Sequence, residues 1–265
     1  MAIKMVAMDL DDTLLDGQSR ISPRNREMIV RAMDAGIKII LASGRMYGSI
    51  VQYAEYLQLD DPIIAYNGAM IRKRDQAEAL IHEVLPLELA RELLLELRQM
   101  QIHTQLYVSD RLYVSRCNDK SEAYALASKV EAHEAGDLLS FLQESPTKIL
   151  VIDEPAAIDE CIPRLRERFA DRVHITKSKP QYLEFMKPGI NKGSALKRLR
   201  EYYGFAAAEV MAIGDAPNDI EMLCEAGTGV AVGNAFDEVK AVSAFQVASN
   251  IKDGVAEAIE YALAH

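Results

Sequence analysis

The chain has 265 residues, 49% hydrophobic and 26% charged, with a formal net charge of -10 at pH 7. That suffices for two domains with sizeable cores, and the acidic balance argues against a nucleic acid or an anionic membrane as partner. Cys117, Cys161 and Cys224 are too scattered for a disulfide framework, no apolar stretch reaches the roughly 18 residues that span a bilayer, and the N-terminus lacks a signal peptide, so the expected compartment is the cytoplasm.

Lys4 to Asp9 reads as a buried strand that ends in Asp9, Asp11, Asp12 and the hydroxyl of Thr13. Taken alone, this end reads equally as a solvated turn, with Asp12 and Thr13 supplying cap or Asx-turn oxygens, or as a carboxylate-built site. Ser22 and Pro23 open a helix to about Ala35, with Ser as N-cap and Pro at the first helical position, and Gly36 stops it. Ile37 to Ala42 is a second strand, ending at Ser43-Gly44-Arg45. A helix from about Met46 to Leu57 leads to a third strand, Ile63 to Tyr66, ending at Asn67-Gly68. Such alternation predicts a parallel sheet with crossover helices, whose ligands bind beyond the carboxyl ends of the strands. Three polar strand ends on one edge mark a site.

The rhythm then changes. Ala69 to Arg72 and Leu80 to Val84 are short strands, Leu87 to about Met100 is an apolar helix, and Ile102 to Val108 pairs with Arg111 to Arg116 as a hairpin. A helix from about Lys120 to Ala132, a strand Lys148 to Ile152, a helix Pro155 to Phe169 and a strand pair, Val173 to Thr176 and Tyr182 to Met186, complete an α+β unit. After Lys187-Pro188-Gly189, Asn191 caps a helix to about Tyr203, and Val210 to Ile213 is a strand closed by Gly214-Asp215-Ala216-Pro217-Asn218-Asp219. Pro217 to Ala226, Phe236 to Ser243 and Asp253 to Leu263 are helices, with strands at Gly229 to Val232 and near Gln246 to Ala248. The expected fold is α/β: a Rossmann-like parallel-sheet core of residues 1–84 and 188–265 with an inserted α+β domain of residues 85–187.

Acids gathered at a buried strand end cost several kcal/mol unless a cation sits among them. Asp9, Asp11 and Asp215 suit one Mg2+, which takes hard oxygen ligands in an octahedron and keeps waters and a substrate phosphate oxygen. Lys192, Arg45 and the Ser43 hydroxyl are the local cations and donors that a phosphate ester needs. Ser43 is placed at a helix start, where backbone N–H groups favour an anion, and Lys192 two residues into its helix. Singly, Lys192 reads more readily as a solvated helix lysine, and Arg45 equally as a surface salt-bridge partner. His82, His103, His133, His174 and His265 show no paired ligand spacing, and the first acids do not fit a calcium loop, which needs a glycine they lack.

Asp9-Leu10-Asp11-Asp12-Thr13-Leu14-Leu15, Ser43-Gly44-Arg45, Lys192-Gly193 and Gly214-Asp215-Ala216-Pro217-Asn218-Asp219 resemble, in content and order, the four motifs of the haloacid-dehalogenase-like phosphatases. The insert is similar to the larger cap of the Cof-type subfamily. Tyr66-Asn67-Gly68-Ala69, Ile152-Asp153-Glu154-Pro155-Ala156 and Asp253-Gly254-Val255-Ala256 look like that subfamily too, especially its sugar-phosphate phosphatases. The resemblance implies that Asp9 is the nucleophile, forming an aspartyl-phosphate, and that Asp11 protonates the leaving alcohol and later deprotonates water. It implies that Ser43 (with Gly44) and Lys192 bind the phosphoryl oxygens, with Arg45, Asn67 and Asn218 as further contacts on the substrate or phosphate side. Mg2+ would sit on the carboxylates of Asp9 and Asp215 and the carbonyl of Asp11, while Asn218 and Asp219 complete the fourth motif, orienting Lys192 or joining the metal shell. Many members have Gly where this chain has Asp12; if that position needs φ > 0, Asp is among the less costly replacements, and a surface-facing Asp12 is expected.

The insert is expected to act as a lid, with Lys177-Ser178-Lys179 and the hairpin near Tyr107 to Tyr113 as loops that face the core or serve as ordinary solvated ones. The expected activity is Mg2+-dependent hydrolysis of a small phosphomonoester, a sugar or polyol phosphate, with no nucleic-acid or membrane partner. Two alternatives stay open: a sugar phosphomutase, and a sensor that binds a phosphometabolite without chemistry. Against the sensor stands the presence of both Asp9 and Asp11, since binding needs neither a nucleophile nor a proton donor.

Overall fold

The computed structural model describes residues 2–265, except the side chain of Ser178, which lies outside the described residues. It forms two compact units: one made of the chain up to Ile81 and from Asn191 to His265, the other of His82–Ile190. The sequence reading draws these lines after residues 84 and 187.

The chain runs β1 (Met5–Asp9), α1 (Pro23–Asp34), β2 (Lys38–Ala42), α2 (Tyr47–Leu57), β3 (Ile63–Ala65), β4 (Met70–Arg72) and β5 (Ile81–His82). The second unit follows with α3 (Leu87–Gln99), β6 (His103–Val108), β7 (Arg111–Val114), α4 (Asp119–Ser128), β8 (Ala132–Glu134), α5 (Leu138–Phe141), β9 (Lys148–Ile152), α6 (Pro155–Phe169), β10 (His174–Lys179) and β11 (Tyr182–Met186). The return supplies α7 (Lys192–Tyr203), β12 (Val210–Gly214), α8 (Ile220–Glu225), β13 (Thr228–Ala231), α9 (Asp237–Val242), β14 (Phe245–Gln246) and α10 (Gly254–Ala264).

The larger sheet has the order β14-β13-β12-β1-β2-β3-β4-β5. β1 lies at its centre, and all five of its residues are buried, which is why it reads as an unbroken apolar run up to Asp9. Its parallel neighbours are β2 and β12, with Asp9 opposite Ala42 and Met8 opposite Ile213. That register brings the carboxyl ends of β12, β1, β2 and β3 to one edge. The chain builds outward from β1 through β2 and β3 on one side and through β12, β13 and β14 on the other, so β1 and β12 flank the switch point where such sheets open a crevice. α1 begins as its sequence demands: the Ser22 hydroxyl accepts the Asn25 N–H, and Met28, Ile29 and Ala32 form its buried stripe. Asn25 in turn accepts the Ala256 N–H through Oδ1, joining α1 to α10.

In the second unit the sheet order is β10-β11-β9-β6-β7-β8, antiparallel except for β7 beside β8. One face of it, carrying Leu106, Ile149, Val151, Leu183 and Phe185, packs with Leu93 and Leu97 of α3 and Ile158 and Leu165 of α6 into a core. Three details differ from the sequence reading. The helix expected to reach Ala132 stops at Ser128, because Lys129 turns left-handed at φ 54, and Ala132–Glu134 then pairs with β7 as a strand. Leu138–Phe141 forms a short helix capped by Asp137. Lys177 and Lys179 belong to strand β10 rather than to a loop, held by pairing with β11. Among the described residues, no helix is long and apolar enough to cross a membrane.

Candidate active site

At the end of β1 the backbone does not continue straight. The Leu15 N–H reaches back to the Leu10 carbonyl at 2.8 Å, closing one wide turn over Leu10–Leu14. Two extended residues would carry Asp11 about 6.6 Å beyond Asp9; the turn prevents that. Leu10, Thr13 and Leu14 anchor it in the core, whereas Asp11 and Asp12 are exposed and Asp9 is buried, 5% exposed. Asp12 has φ 57, the left-handed region that Asp tolerates better than most residues, and its side chain faces out. Its carbonyl accepts a 2.7 Å hydrogen bond from Asn234 Nδ2.

Three acids converge at the carboxyl edge. One oxygen each from Asp9, Asp215 and Asp219 lies within 4.8 Å of the others, and all three residues are buried. Asp215 and Asp219 come from the segment that closes β12. Gly214 is required there, because a Cβ at that position would lie 2.5 Å from the Cβ of Asp219. Asp219 accepts the N–H groups of Asp215 and Ala216 through Oδ2, both at 3.1 Å, so it organises the segment to which it belongs. Asp215 Oδ1 accepts the Thr13 hydroxyl at 2.7 Å. Thr13 is fully buried; the sequence reading offered it only as a turn oxygen, and a hydroxyl set among acids at a strand end was the available signal.

Lys192 is the first residue of α7, one position earlier than expected, and Asn191 and Ser194 cap the helix reciprocally. This cap aims the buried side chain inward: Nζ lies 2.5 Å from Asp9 Oδ1 and 2.6 Å from Asp219 Oδ1. Burial opposes the ammonium charge, but Asp219 and Asp9 outweigh it and hold the pKa of Lys192 above its ordinary value. The solvated-lysine reading therefore does not apply.

Burial pushes the Asp9 carboxyl well above its usual range, against the pull of Lys192 and with the help of Asp219, Asp215 and Asp11. Asp215 is pushed up to about 7, again chiefly by burial, with the Thr13 hydrogen bond working against the shift. One ammonium against three carboxylates leaves a formal charge of 1 − 3 = −2. That deficit, carried by hard oxygen donors, fits a divalent cation. Asp219 has Oδ1 on Lys192 and Oδ2 on two backbone N–H groups, so Asp9 and Asp215 offer the less committed oxygens.

The second strand end departs from expectation. Ser43 is buried at the end of β2, but the helix starts four residues later, at Tyr47, so Ser43 is not at a helix N-terminus. Its N–H donates to the Ile64 carbonyl, and its Oγ accepts the Arg45 N–H at 3.2 Å. Asn67 is buried with φ 52; its N–H donates to the Ser43 carbonyl at 3.0 Å, and its Oδ1 accepts Asn218 Nδ2 at 3.0 Å. Gly44 lies against that amide: a Cβ on it would sit 3.0 Å from Asn67 Oδ1. Ser43, Gly44, Asn67 and Asn218 thus form one polar group. Arg45 goes elsewhere. Its Nε lies 2.8 Å from Asp11 Oδ2 and its Nη2 2.5 Å from Asp11 Oδ1, so the Asp11 carboxylate is gripped by a guanidinium and stands outside the three-acid group.

The sequence profile of the haloacid dehalogenase-like hydrolases matches residues 6–259. The 5-amino-6-(5-phospho-D-ribitylamino)uracil phosphatase YitU of Bacillus subtilis (strain 168) is 33% identical over 261 residues, covering 95% of this chain and 94% of the relative. The pyridoxal phosphate phosphatase YbhA of Escherichia coli (strain K12) is 29% identical, with 98% of each chain covered. A crystal structure of a haloacid dehalogenase-like hydrolase from Bacteroides thetaiotaomicron superposes with a TM-score of 0.92 at 32% identity, covering 98% of this chain and 99% of that one. A central strand ending in a buried acid, a helix-borne lysine on that acid and a second acidic segment on the neighbouring strand accompany this likeness along nearly the whole chain, and the chain belongs to the haloacid dehalogenase-like hydrolase family.

Proposed function

We propose that the first unit catalyses Mg2+-dependent hydrolysis of a small phosphomonoester, a sugar or polyol phosphate, through an aspartyl-phosphate on Asp9. The observation that carries this reading is the Lys192 ammonium shared between Asp9 and Asp219, beside Asp215, in a buried group whose charge it does not balance. The names of the two relatives support a small phosphate ester as substrate, since both denote phosphatases of such esters.

In the first half-reaction a carboxylate oxygen of Asp9 attacks phosphorus in line, and the ester P–O bond breaks as the new bond forms. Asp11 gives a proton to the departing oxygen, so the alcohol leaves neutral. In the second half, Asp11 takes a proton from water as the water oxygen attacks the phosphorus of the acyl phosphate, releasing inorganic phosphate and restoring Asp9. Lys192 holds one oxygen of Asp9 in place and, with the Ser43 hydroxyl, stabilises charge gathering on the phosphoryl oxygens. Asp219 keeps Lys192 protonated and oriented. Asn67 and Asn218, bonded to each other beside Gly44, form the wall for the remaining polar groups of the substrate. Asp9 and Asp215, with the carbonyl of Asp11, would hold Mg2+, which would supply positive charge to offset the repulsion among the acids and to stabilise the phosphoryl oxygens.

The test is phosphate release from a panel of phosphorylated sugars and polyols, nucleotides, flavin mononucleotide and p-nitrophenyl phosphate, with Mg2+ and with EDTA. Release that depends on Mg2+ is expected, and Asp9→Asn should lower it by about 10³-fold or more. Wild-type turnover by Asp9→Asn would sink the covalent route. No release from any ester would sink the hydrolase reading and favour the sensor.

A further inference from the structure

The Asp11–Arg45 pair is anchored from the arginine side: the Arg45 side chain is 14% exposed and that of Asp11 50%. The Arg45 N–H donates to Ser43 Oγ, its carbonyl accepts the Tyr66 N–H at 2.8 Å, its Nη1 reaches Ser49 Oγ at 3.4 Å, and its guanidinium lies 5.8 Å from the centre of the Tyr53 ring. Nε and Nη2 then take the two oxygens of Asp11 in a fork, a planar geometry that lysine cannot reproduce. An ordinary surface ion pair joins two mobile side chains and contributes little. Here one partner is fixed by its neighbours, and the other is the single exposed acid of the opening turn that reaches a cation of the site.

A carboxylate with both oxygens on a guanidinium can only accept. To pass a proton to a leaving alcohol, Asp11 must free one oxygen while the other stays held. We propose that Arg45 is the positioning residue of Asp11, keeping its carboxyl group in place through the Nε–Oδ2 contact and exchanging the Nη2–Oδ1 contact for the oxygen of the leaving alcohol. In that step the proton on Asp11 Oδ1 passes to the ester oxygen, which keeps the electron pair of the breaking P–O bond. Asp11 is left as a carboxylate that the fork can grip again, ready to accept a proton from water in the second half. The inference rests on the reading of Asp11 as general acid and base given above.

The test compares two leaving groups under kcat/KM, which covers the steps up to departure of the alcohol. An alkyl phosphate from the panel above must leave with a proton, whereas p-nitrophenyl phosphate leaves as a stable anion. Arg45→Gln is expected to lower kcat/KM on the alkyl ester by about 10²-fold and on the aryl ester by about threefold or less. Arg45→Lys, which keeps the charge and loses the fork, should fall between wild type and Arg45→Gln on the alkyl ester, and it serves as the reading variant if Arg45→Gln does not fold. Asp11→Asn should show the same selectivity, more strongly. If Asp11→Asn is selective and the Arg45 variants lose both esters equally, the inference is overturned, and a matching rise in the inhibition constant of inorganic phosphate would identify Arg45 as a phosphate contact instead. If Asp11→Asn itself loses both esters equally, the reading of Asp11 as the acid fails first.

Discussion

In the second unit Lys148, 1% exposed, faces Glu184 at 3.4 Å, and the buried carboxylate of Glu96 lies between Arg164 and Arg168. In the first unit a single Lys192 serves Asp9 and Asp219, with Asp215 beside them. The two regions bury charge to similar depth but close it differently. Burial opposes the charge of Lys148, yet Glu184 outweighs it and holds its pKa above the ordinary value, with no acid left over in the pair. Around Lys192 two negative charges remain unanswered, and burial drives Asp9 and Asp215 upward. In the proposed function, ions buried for structure are neutralised by the chain itself, whereas those of the site leave part of that neutralisation to the cation they would hold.

The strongest way to break this contrast is to remove each lysine. Lys148→Met should destabilise the protein by about 3–5 kcal/mol in urea unfolding, because Glu184 is then buried without its cation, and Mg2+ should not restore the loss. Pairing it with Glu184→Leu should recover most of the stability. Lys192→Met should also destabilise the metal-free protein, but here Mg2+ should restore a measurable part. Equal responses of the two variants to Mg2+ would erase the distinction.

A smaller effect tests the deficit directly. Asp215 is raised from 3.8 to about 7 on folding, so between those values the folded chain holds a proton that the unfolded chain lacks. Its contribution therefore favours folding at the acid end and is lost as the pH rises through about 7. In EDTA, Asp215→Asn should raise stability by about 2 kcal/mol at pH 8 and by less at pH 5, and should shrink the Tm gain caused by Mg2+. A destabilised Asp215→Asn at pH 8 would show that the cluster closes its own charge. The smallest change belongs to Asp12→Gly. With φ 57 and an exposed side chain, this substitution should shift stability by about 0.5 kcal/mol or less and leave phosphate release nearly unchanged.

Features written in local sequence were legible. Ser22 before Pro23 and Asn191 mark helix starts, and both side chains accept the N–H three positions on. β1 announced itself by an unbroken apolar run. β8 was illegible because Ala132-His133-Glu134 has no strand pattern of its own; pairing with β7 makes it a strand. Ser43 was misplaced because an extended strand end followed by a glycine looks, in sequence, much like the start of the helix four residues later. The fork between Asp11 and Arg45 spans 34 residues and depends on the turn over Leu10–Leu14, so neither residue type nor spacing disclosed it. For Asp219 the sequence leaves two roles open, metal shell or orienter of Lys192; its two backbone contacts and its lysine contact favour the second, while one of its oxygens also lies within 4.8 Å of those of Asp9 and Asp215.

The interruption of the first unit has a consequence for how the chain is made. Asp9 and Lys192 are 183 positions apart, and Thr13 and Asp215 are 202 apart. During synthesis, all of His82–Ile190 emerges before any residue of β12, so the contiguous unit can fold while β1 is paired only with β2. Folding of that unit shortens the loop that must close before the later strands dock, easing the entropic penalty of so distant a pairing. Until then one edge of β1, the strand that bears Asp9, stays open, exposing an apolar template that other chains could pair with. The central strand of the catalytic sheet is thus synthesised well before its β12 neighbour and is among the last to be enclosed.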